Sequence, residues 1–177
     1  MTDTLALGAD RGLFSRLDDG WELRFERRLR HSPERVWRLL TTPEGLSGWL
    51  AEAVIEPREG GRMDLHFTHP PSEQFCDPAT FRQSNRVVTW SPFDLFEHTF
   101  DGDTLVRWEL RPDGDGTHLI LTHRLPASEE QLHQTLSGWH HHMEGFEDAV
   151  AGRRHPWSWD RWSALDRAYA DVVKATA

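Results

Sequence analysis

The chain has 177 residues, and 20 Lys and Arg against 29 Asp and Glu give it a formal charge of −9 at pH 7. The length suits a single domain, and the negative charge disfavours nucleic acid as a partner because phosphate groups are bound by positive potential. The one cysteine, Cys76, excludes an intrachain disulfide and a cysteine metal cage.

The predicted elements begin after a polar N-terminal stretch. Residues 1–20 lack the apolar run of a signal peptide, and no segment reaches the roughly 18 apolar residues that span a bilayer. We therefore expect a cytoplasmic protein, monomeric or homodimeric, without a membrane partner. Alternating Trp21, Leu23 and Phe25 predict a strand over residues 21–29, and a turn before it allows residues 13–17 to form a hairpin partner.

Two short helices and a series of strands are predicted next. Ser32 with Pro33, and Thr42 with Pro43, are typical of a capping residue followed by the first residue of a helix. From residue 53 to residue 125 the apolar period returns to two, and the Asp and Gly residues at 113–116 favour a hairpin turn. We expect an antiparallel sheet of six or seven strands.

One long helix is predicted between residues 128 and 152. Its stripe has apolar residues spaced four and three apart: Leu132, Leu136, Trp139, Met143, Phe146 and Val150. Ser128 and Gln131 match a capping box, and Gly152 is placed to end the helix. A last helix, with Trp157, Trp159 and Trp162 packing it, follows a polar break. The organisation is then a single domain, 1–177, with an extension or hairpin strand at 1–20, a core at 21–152 and a helical extension at 153–177.

Four stretches carry a family resemblance. They are FERRLRHSPERVWRLLTTPEGLSGWL at 25–50, GGRMDL at 61–66, GTHLILTHRLP at 116–126 and GWHHHMEGFEDAV at 138–150. In this order they resemble the START-like (SRPBCC) superfamily, and within it the domain named after the activator of the heat-shock protein 90 ATPase. The resemblance implies an α+β helix-grip fold, in which an antiparallel sheet wraps around the long C-terminal helix and leaves a cavity between them. Residues 69–82 depart from the family pattern.

The resemblance implies binding of a small hydrophobic or amphipathic ligand between sheet and helix, with no cofactor. Nine residues on the predicted inner faces are candidate ligand contacts: Trp37, Trp49, Phe67, Trp90, Trp108, His123, Trp139, Met143 and Phe146. For the tryptophans, core packing is an equally good interpretation. No catalytic motif is present. Two alternatives stay open, namely a protein-interaction module related to chaperone ATPase activators, and a cyclase or hydrolase with His123 as its base.

The histidines raise the questions of a metal and of a base. His140 and Glu144 have a spacing that could hold zinc, but a closed site needs four ligands and an orienting shell. His140, His141 and His142 point in different directions on a helix, so they do not meet at one ion. We therefore interpret the flank that carries His133, His140, Glu144 and Glu147 as a solvated helix surface and predict no metal site. His123 shares its phase with Leu119 and Leu121, and a histidine hydrogen-bonded to the backbone in an apolar wall is a better interpretation of it than a catalytic base.

Overall fold

The strands form one antiparallel sheet. The structure is a computed structural model that describes residues 7–73, 77 and 81–176. The strands are β1 (Leu13–Arg16), β2 (Gly20–Leu29), β3 (Glu52–Ile55), β4 (Arg62–His66), β5 (Arg82–Ser91), β6 (Leu95–Phe100), β7 (Thr104–Asp113) and β8 (Gly116–Pro126). Their order across the sheet is β1-β2-β8-β7-β6-β5-β4-β3, and every neighbouring pair is antiparallel.

The prediction of a mostly antiparallel sheet is confirmed, but six or seven strands was too few. Within the described residues the sheet has eight strands. The two edge strands, β1 and β3, have four residues each, which is too short for an alternating pattern to count them reliably. The predicted hairpin partner of β2 is β1, whose Leu13 lies opposite Arg24. Of the divergent region 69–82, residues 74–76 and 78–80 lie outside the described residues.

The helices follow the predicted order: α1 (Pro33–Thr41), α2 (Pro43–Ser47), α3 (Glu129–Val150) and α4 (Trp159–Thr176). The Ser128 hydroxyl accepts a hydrogen bond from the Gln131 N–H at 3.2 Å, which satisfies one of the free donors at the start of α3. The other end of α3 is held by Arg35, whose guanidinium donates twice to the Val150 carbonyl, at 3.0 and 2.6 Å. A cation at the C-terminal end of a helix also interacts favourably with the helix dipole. The long helix is therefore fixed at both ends.

The inner face of the sheet and the stripe of α3 make up the core. Leu23 and Phe25 of β2, Leu119 and Leu121 of β8 and Met143 of α3 are all buried. This is the helix-grip arrangement implied by the resemblance. The apolar residues predicted to face inward from the strands, by their period of two, and from the helix, by its period of 3.6, therefore pack against each other.

The C-terminal extension belongs to this core. Leu165 and Tyr169 of α4 are buried against α3. The Tyr169 hydroxyl accepts a hydrogen bond from the Gly12 N–H at 2.7 Å and lies 2.8 Å from Nδ1 of His140, to which it donates. One side chain thus joins the segment before β1, the long helix and the last helix.

Replacing Tyr169 with Phe should destabilise the protein by about 1–3 kcal/mol, because the Gly12 N–H and the His140 ring nitrogen would lose their buried partner. Urea unfolding followed by circular dichroism measures the change. The matched control is Thr176→Ala, which removes an exposed hydroxyl bonded to the Val172 carbonyl on the same helix and should change stability by less than about 0.5 kcal/mol. Equal stabilities for the two variants would contradict the bridging role of Tyr169.

Candidate functional site

The histidine flank of α3, which consists of His140, His141 and His142, is covered by the C-terminal part of the chain. These side chains are only 4, 2 and 8 % exposed. His141 Nε2 accepts a hydrogen bond from the Ser158 N–H at 2.9 Å, and His142 Nδ1 donates to the Trp49 carbonyl at 3.2 Å. Of the flank predicted to be solvated, His140 is buried because α4 and the segment before it fold back over this side of the helix, whereas His133, Glu144 and Glu147 are half-buried.

The segment that covers the flank, residues 153–158, is attached by stacked rings. Trp157 stacks on His69, with ring centroids 3.8 Å apart and an interplanar angle of 13°. The Trp157 ring also lies 4.5 Å from the His141 ring and 4.8 Å from the His142 ring. The neighbouring Trp159 donates its indole N–H to the Pro70 carbonyl at 2.6 Å. The covering segment therefore ties the loop after β4 to the long helix.

Two cavities share this stacked wall. The larger, which we call the cleft, has a volume of about 970 Å³ and lies between α2, residues 68–70, the second half of α3 and the covering segment. The smaller, which we call the aromatic pocket, has a volume of about 260 Å³ and lies between the first half of α3 and the ends of β4, β5 and β6. Its ring-bearing walls are Phe67, Phe81, Phe100, Trp139, Trp159 and Trp162. His69, His142 and Trp157 line both cavities.

The nine predicted contacts do not meet at one cavity. Phe67 and Trp139 line the aromatic pocket, and Trp49 lines the cleft. Trp37 and Trp90 border a separate surface groove of about 570 Å³ beside α1. The other four, Trp108, His123, Met143 and Phe146, are buried in the core and line none of these three cavities. A ligand-contacting role for these residues stays a prediction.

Two tryptophan–histidine pairs occupy the core beside the aromatic pocket. The Trp139 indole N–H donates to His123 Nδ1 at 2.9 Å, and His123 Nε2 donates to the Thr104 hydroxyl, also at 2.9 Å. In the second pair, the Trp108 indole N–H donates to His98 Nε2 at 3.3 Å, and His98 Nδ1 donates to the Thr99 carbonyl at 2.8 Å. Each imidazole therefore accepts at one nitrogen and donates at the other, which is the pattern of the neutral ring.

Burial keeps both of these rings neutral at pH 7. It lowers the pKa of His98 to about 4, and it lowers the pKa of His123, with a further contribution from the nearby His98, to about 3. His123 lies in the core as interpreted from the sequence, but the expected backbone partner is wrong, because both of its hydrogen-bond partners are side chains. Sequence reasoning overlooked His98, whose phase between Phe96 and Phe100 on β6 could have marked it as inward-facing.

Comparison of the sequence with known protein families identifies the family of this chain. The family described as Activator of Hsp90 ATPase homolog 1-like protein matches residues 30–151, which is more than half of the chain. The chain belongs to this family. The matched range includes strands β3 to β8 and helices α1, α2 and α3. The resemblance predicted from the sequence is therefore confirmed.

Solved structures share the fold of this family member. The conserved protein of unknown function EF2215 from Enterococcus faecalis has a TM-score of 0.78 at 17 % identity, over 100 % of this chain and 99 % of that one. CalU16 from Micromonospora echinospora has a TM-score of 0.72 at 21 % identity, over 93 % and 98 %. A comparison with curated proteins gave no significant match. Within residues 7–73, 77 and 81–176, no helix has the length and apolar character to cross a membrane.

Proposed function

We propose that this member of the Activator of Hsp90 ATPase homolog 1-like family binds a small amphipathic molecule in the aromatic pocket. The observation that carries the proposal is the convergence of aromatic rings from the sheet, α3 and the C-terminal extension on one unfilled cavity. Ligand sites are typically apolar cavities of roughly 300–1000 Å³ with a few polar groups. At about 260 Å³, the pocket is slightly smaller than this range and suits a compact ring system.

The polar groups of the pocket indicate the charge of the ligand. Gln131, Gln134 and Asp101 lie at its wall, and the described lining residues include no Lys or Arg. Burial lowers the pKa of His69 to about 4 and that of His142 well below its ordinary value, so both imidazoles are neutral at pH 7. A buried anion would find no counter-ion there, whereas aromatic faces and one carboxylate suit a neutral or cationic molecule. The pocket therefore favours neutral or cationic aromatic compounds over carboxylates.

Filling the pocket from the helix should abolish binding. Gly138 lies on α3 at the pocket wall, and a Cβ added there would meet only Trp162 Nε1, at 4.0 Å. Gly138→Leu should weaken binding of a neutral flavonoid such as naringenin by at least about tenfold, because the new side chain would occupy the space of the ligand in the aromatic pocket. Tryptophan fluorescence titration measures the affinity, since five pocket-side or neighbouring rings are tryptophans: Trp108, Trp139, Trp157, Trp159 and Trp162.

The matched control is Gly138→Ala, which adds one methyl group and leaves most of the volume open. It should bind the flavonoid as the wild type does. A panel of neutral, cationic and carboxylated aromatic compounds tests the charge preference in the same assay. Equal affinity for the wild type and Gly138→Leu would contradict the assignment of the pocket, and a panel without any binder would contradict the function.

Two other functions stay predictions. A protein-interaction role toward a chaperone ATPase rests on the family alone, and stimulation of the purified ATPase by the full chain would test it. A cyclase or hydrolase that uses His123 as a base would have to break one of the two hydrogen bonds to that ring. Comparison of turnover between the wild type and His123→Gln would test that role.

A further inference from the structure

We propose that His142 selects the ligand of the aromatic pocket by accepting a hydrogen bond at Nε2 from a hydroxyl or N–H group of the bound molecule. The inference rests on the proposed function and makes it more specific, because the ligand is then an aromatic compound that carries a donor, such as a phenol or an arylamine. His142 lies on α3 at the pocket wall, and its side chain is only 8 % exposed.

A backbone contact fixes which ring nitrogen of His142 carries the hydrogen. Nδ1 lies 3.2 Å from the Trp49 carbonyl oxygen, which can only accept, so Nδ1 is the donor. Burial lowers the pKa of His142 well below its ordinary value, and the ring is therefore neutral at pH 7. Since a neutral imidazole carries one hydrogen, Nε2 is an acceptor.

This acceptor has no partner within the protein. Among residues 7–73, 77 and 81–176, His142 Nε2 takes part in no hydrogen bond. In the neighbouring His141, by contrast, both ring nitrogens are used, one by the Ser158 N–H and the other by the Glu144 carboxylate. Buried polar groups are nearly always paired, and an unpaired one is costly. The free Nε2 therefore points to a donor that the ligand supplies.

The orientation of the ring directs this nitrogen toward the aromatic pocket. Trp49 lines the cleft, so its carbonyl holds the Nδ1 side of the imidazole toward that cavity. The two nitrogens of an imidazole point away from each other, and Nε2 is thus turned toward the other cavity. Three pocket rings surround His142, with centroids at 5.9 Å for Phe67, 5.2 Å for His69 and 6.2 Å for Trp139. An aromatic ligand among these rings can present a substituent to Nε2.

An acceptor in an aromatic wall discriminates between ligands of the same shape. A hydroxyl or N–H group satisfies Nε2, whereas a hydrocarbon displaces water and leaves the nitrogen unpaired. A carbonyl or carboxylate oxygen at this point would place its lone pair against that of Nε2. The preference for a donor therefore agrees with the exclusion of carboxylates by the charges of the pocket.

Isothermal titration calorimetry of the full chain with 2-naphthol and with naphthalene tests the inference. The variant is His142→Asn, whose amide can keep the hydrogen bond to the Trp49 carbonyl but has no acceptor at the position of Nε2. The preference for 2-naphthol over naphthalene should be at least about tenfold larger in the wild type than in the variant. Thermal unfolding shows whether the variant is folded.

The matched control is His118→Asn, which changes a histidine that pairs with Glu26 and lines neither the cleft nor the aromatic pocket. Its preference between the two compounds should equal that of the wild type. A preference that falls in His118→Asn as much as in His142→Asn would overturn the inference.

Nitrogen-15 NMR of the wild type with labelled histidine gives a measurement that needs no variant. The His142 Nε2 signal should be that of an unprotonated nitrogen and should move upfield when 2-naphthol binds, but not when naphthalene binds. Binding of both compounds with an unmoved Nε2 signal, or with equal preference in the wild type and His142→Asn, would overturn this inference and leave the pocket assigned. Failure of the wild type to bind either compound would overturn the proposed function and this inference with it.

Discussion

Lowering the pH from 7 to 4 should remove several kcal/mol from the free energy of unfolding. In the unfolded chain His98 and His123 take up protons near pH 6.5, whereas burial lowers the pKa of these residues in the folded protein to about 4 and about 3. Between these values the unfolded state binds more protons, so stability falls as the pH falls. Each ring contributes roughly 1 kcal/mol per pH unit in that window, and the full stability is present above pH 6.5. Urea unfolding at a series of pH values measures the slope.

A variant that keeps the hydrogen bonds but cannot titrate isolates this effect. In His98→Gln the amide can accept from the Trp108 indole N–H and donate to the Thr99 carbonyl. The slope of the free energy of unfolding against pH should therefore fall by the contribution of one proton. His66→Gln, at a partly exposed position, should leave the slope as in the wild type. A wild-type stability that is constant between pH 6.5 and 4.5 would contradict the argument.

Replacing Trp108 with Ala should destabilise the protein by about 3–5 kcal/mol through loss of packing. The side chain is 1 % exposed, and its ring lies 5.8 Å from that of Trp49 and 5.5 Å from that of Trp139. Its indole N–H also satisfies His98 Nε2, which would be left buried without a donor. Denaturant unfolding and near-ultraviolet circular dichroism measure the loss of stability and of fixed aromatic packing.

Two further variants separate packing from hydrogen bonding at this position. Trp108→Phe keeps most of the ring contacts but removes the indole N–H donor, so the free energy of unfolding should fall by about 1–3 kcal/mol. Val54→Ala, at a side chain that is 58 % exposed on an edge strand, should cost less than about 0.5 kcal/mol. A Trp108→Ala protein as stable as Val54→Ala would show that the aromatic core does not need this residue.

The elements that local sequence specifies were predictable. The Ser128 cap bonds the Gln131 N–H as the capping box requires, and the apolar stripe of α3 is the face that packs on the sheet. The edge strands were harder to predict, because four residues such as Glu52–Ile55 carry almost no periodicity. Each is held in the sheet by its longer neighbour, β3 by β4 and β1 by β2.

The candidate site could be predicted only in part, because its walls come from distant segments. The phase of α3 places His141 away from the apolar stripe, but it does not show that Ser158 and Trp157 cover that side. Likewise, Trp37 on α1 and Trp139 on α3 both face inward, yet they border different cavities. The family resemblance implied a cavity under the long helix, but which side chains fill the core and which border open space depends on three-dimensional packing.

The indole of Trp157 stands between the cleft and the aromatic pocket, and the His69 and His142 rings beside it line both cavities as well. Under the proposed function, the size of the ligand is therefore limited by one side chain that lies outside the family match at residues 30–151. A smaller residue at this position would connect the two compartments into one elongated chamber. Under the proposed function, a change in the segment after the long helix would alter the length of the ligand that fits, while the sheet and the long helix stay the same.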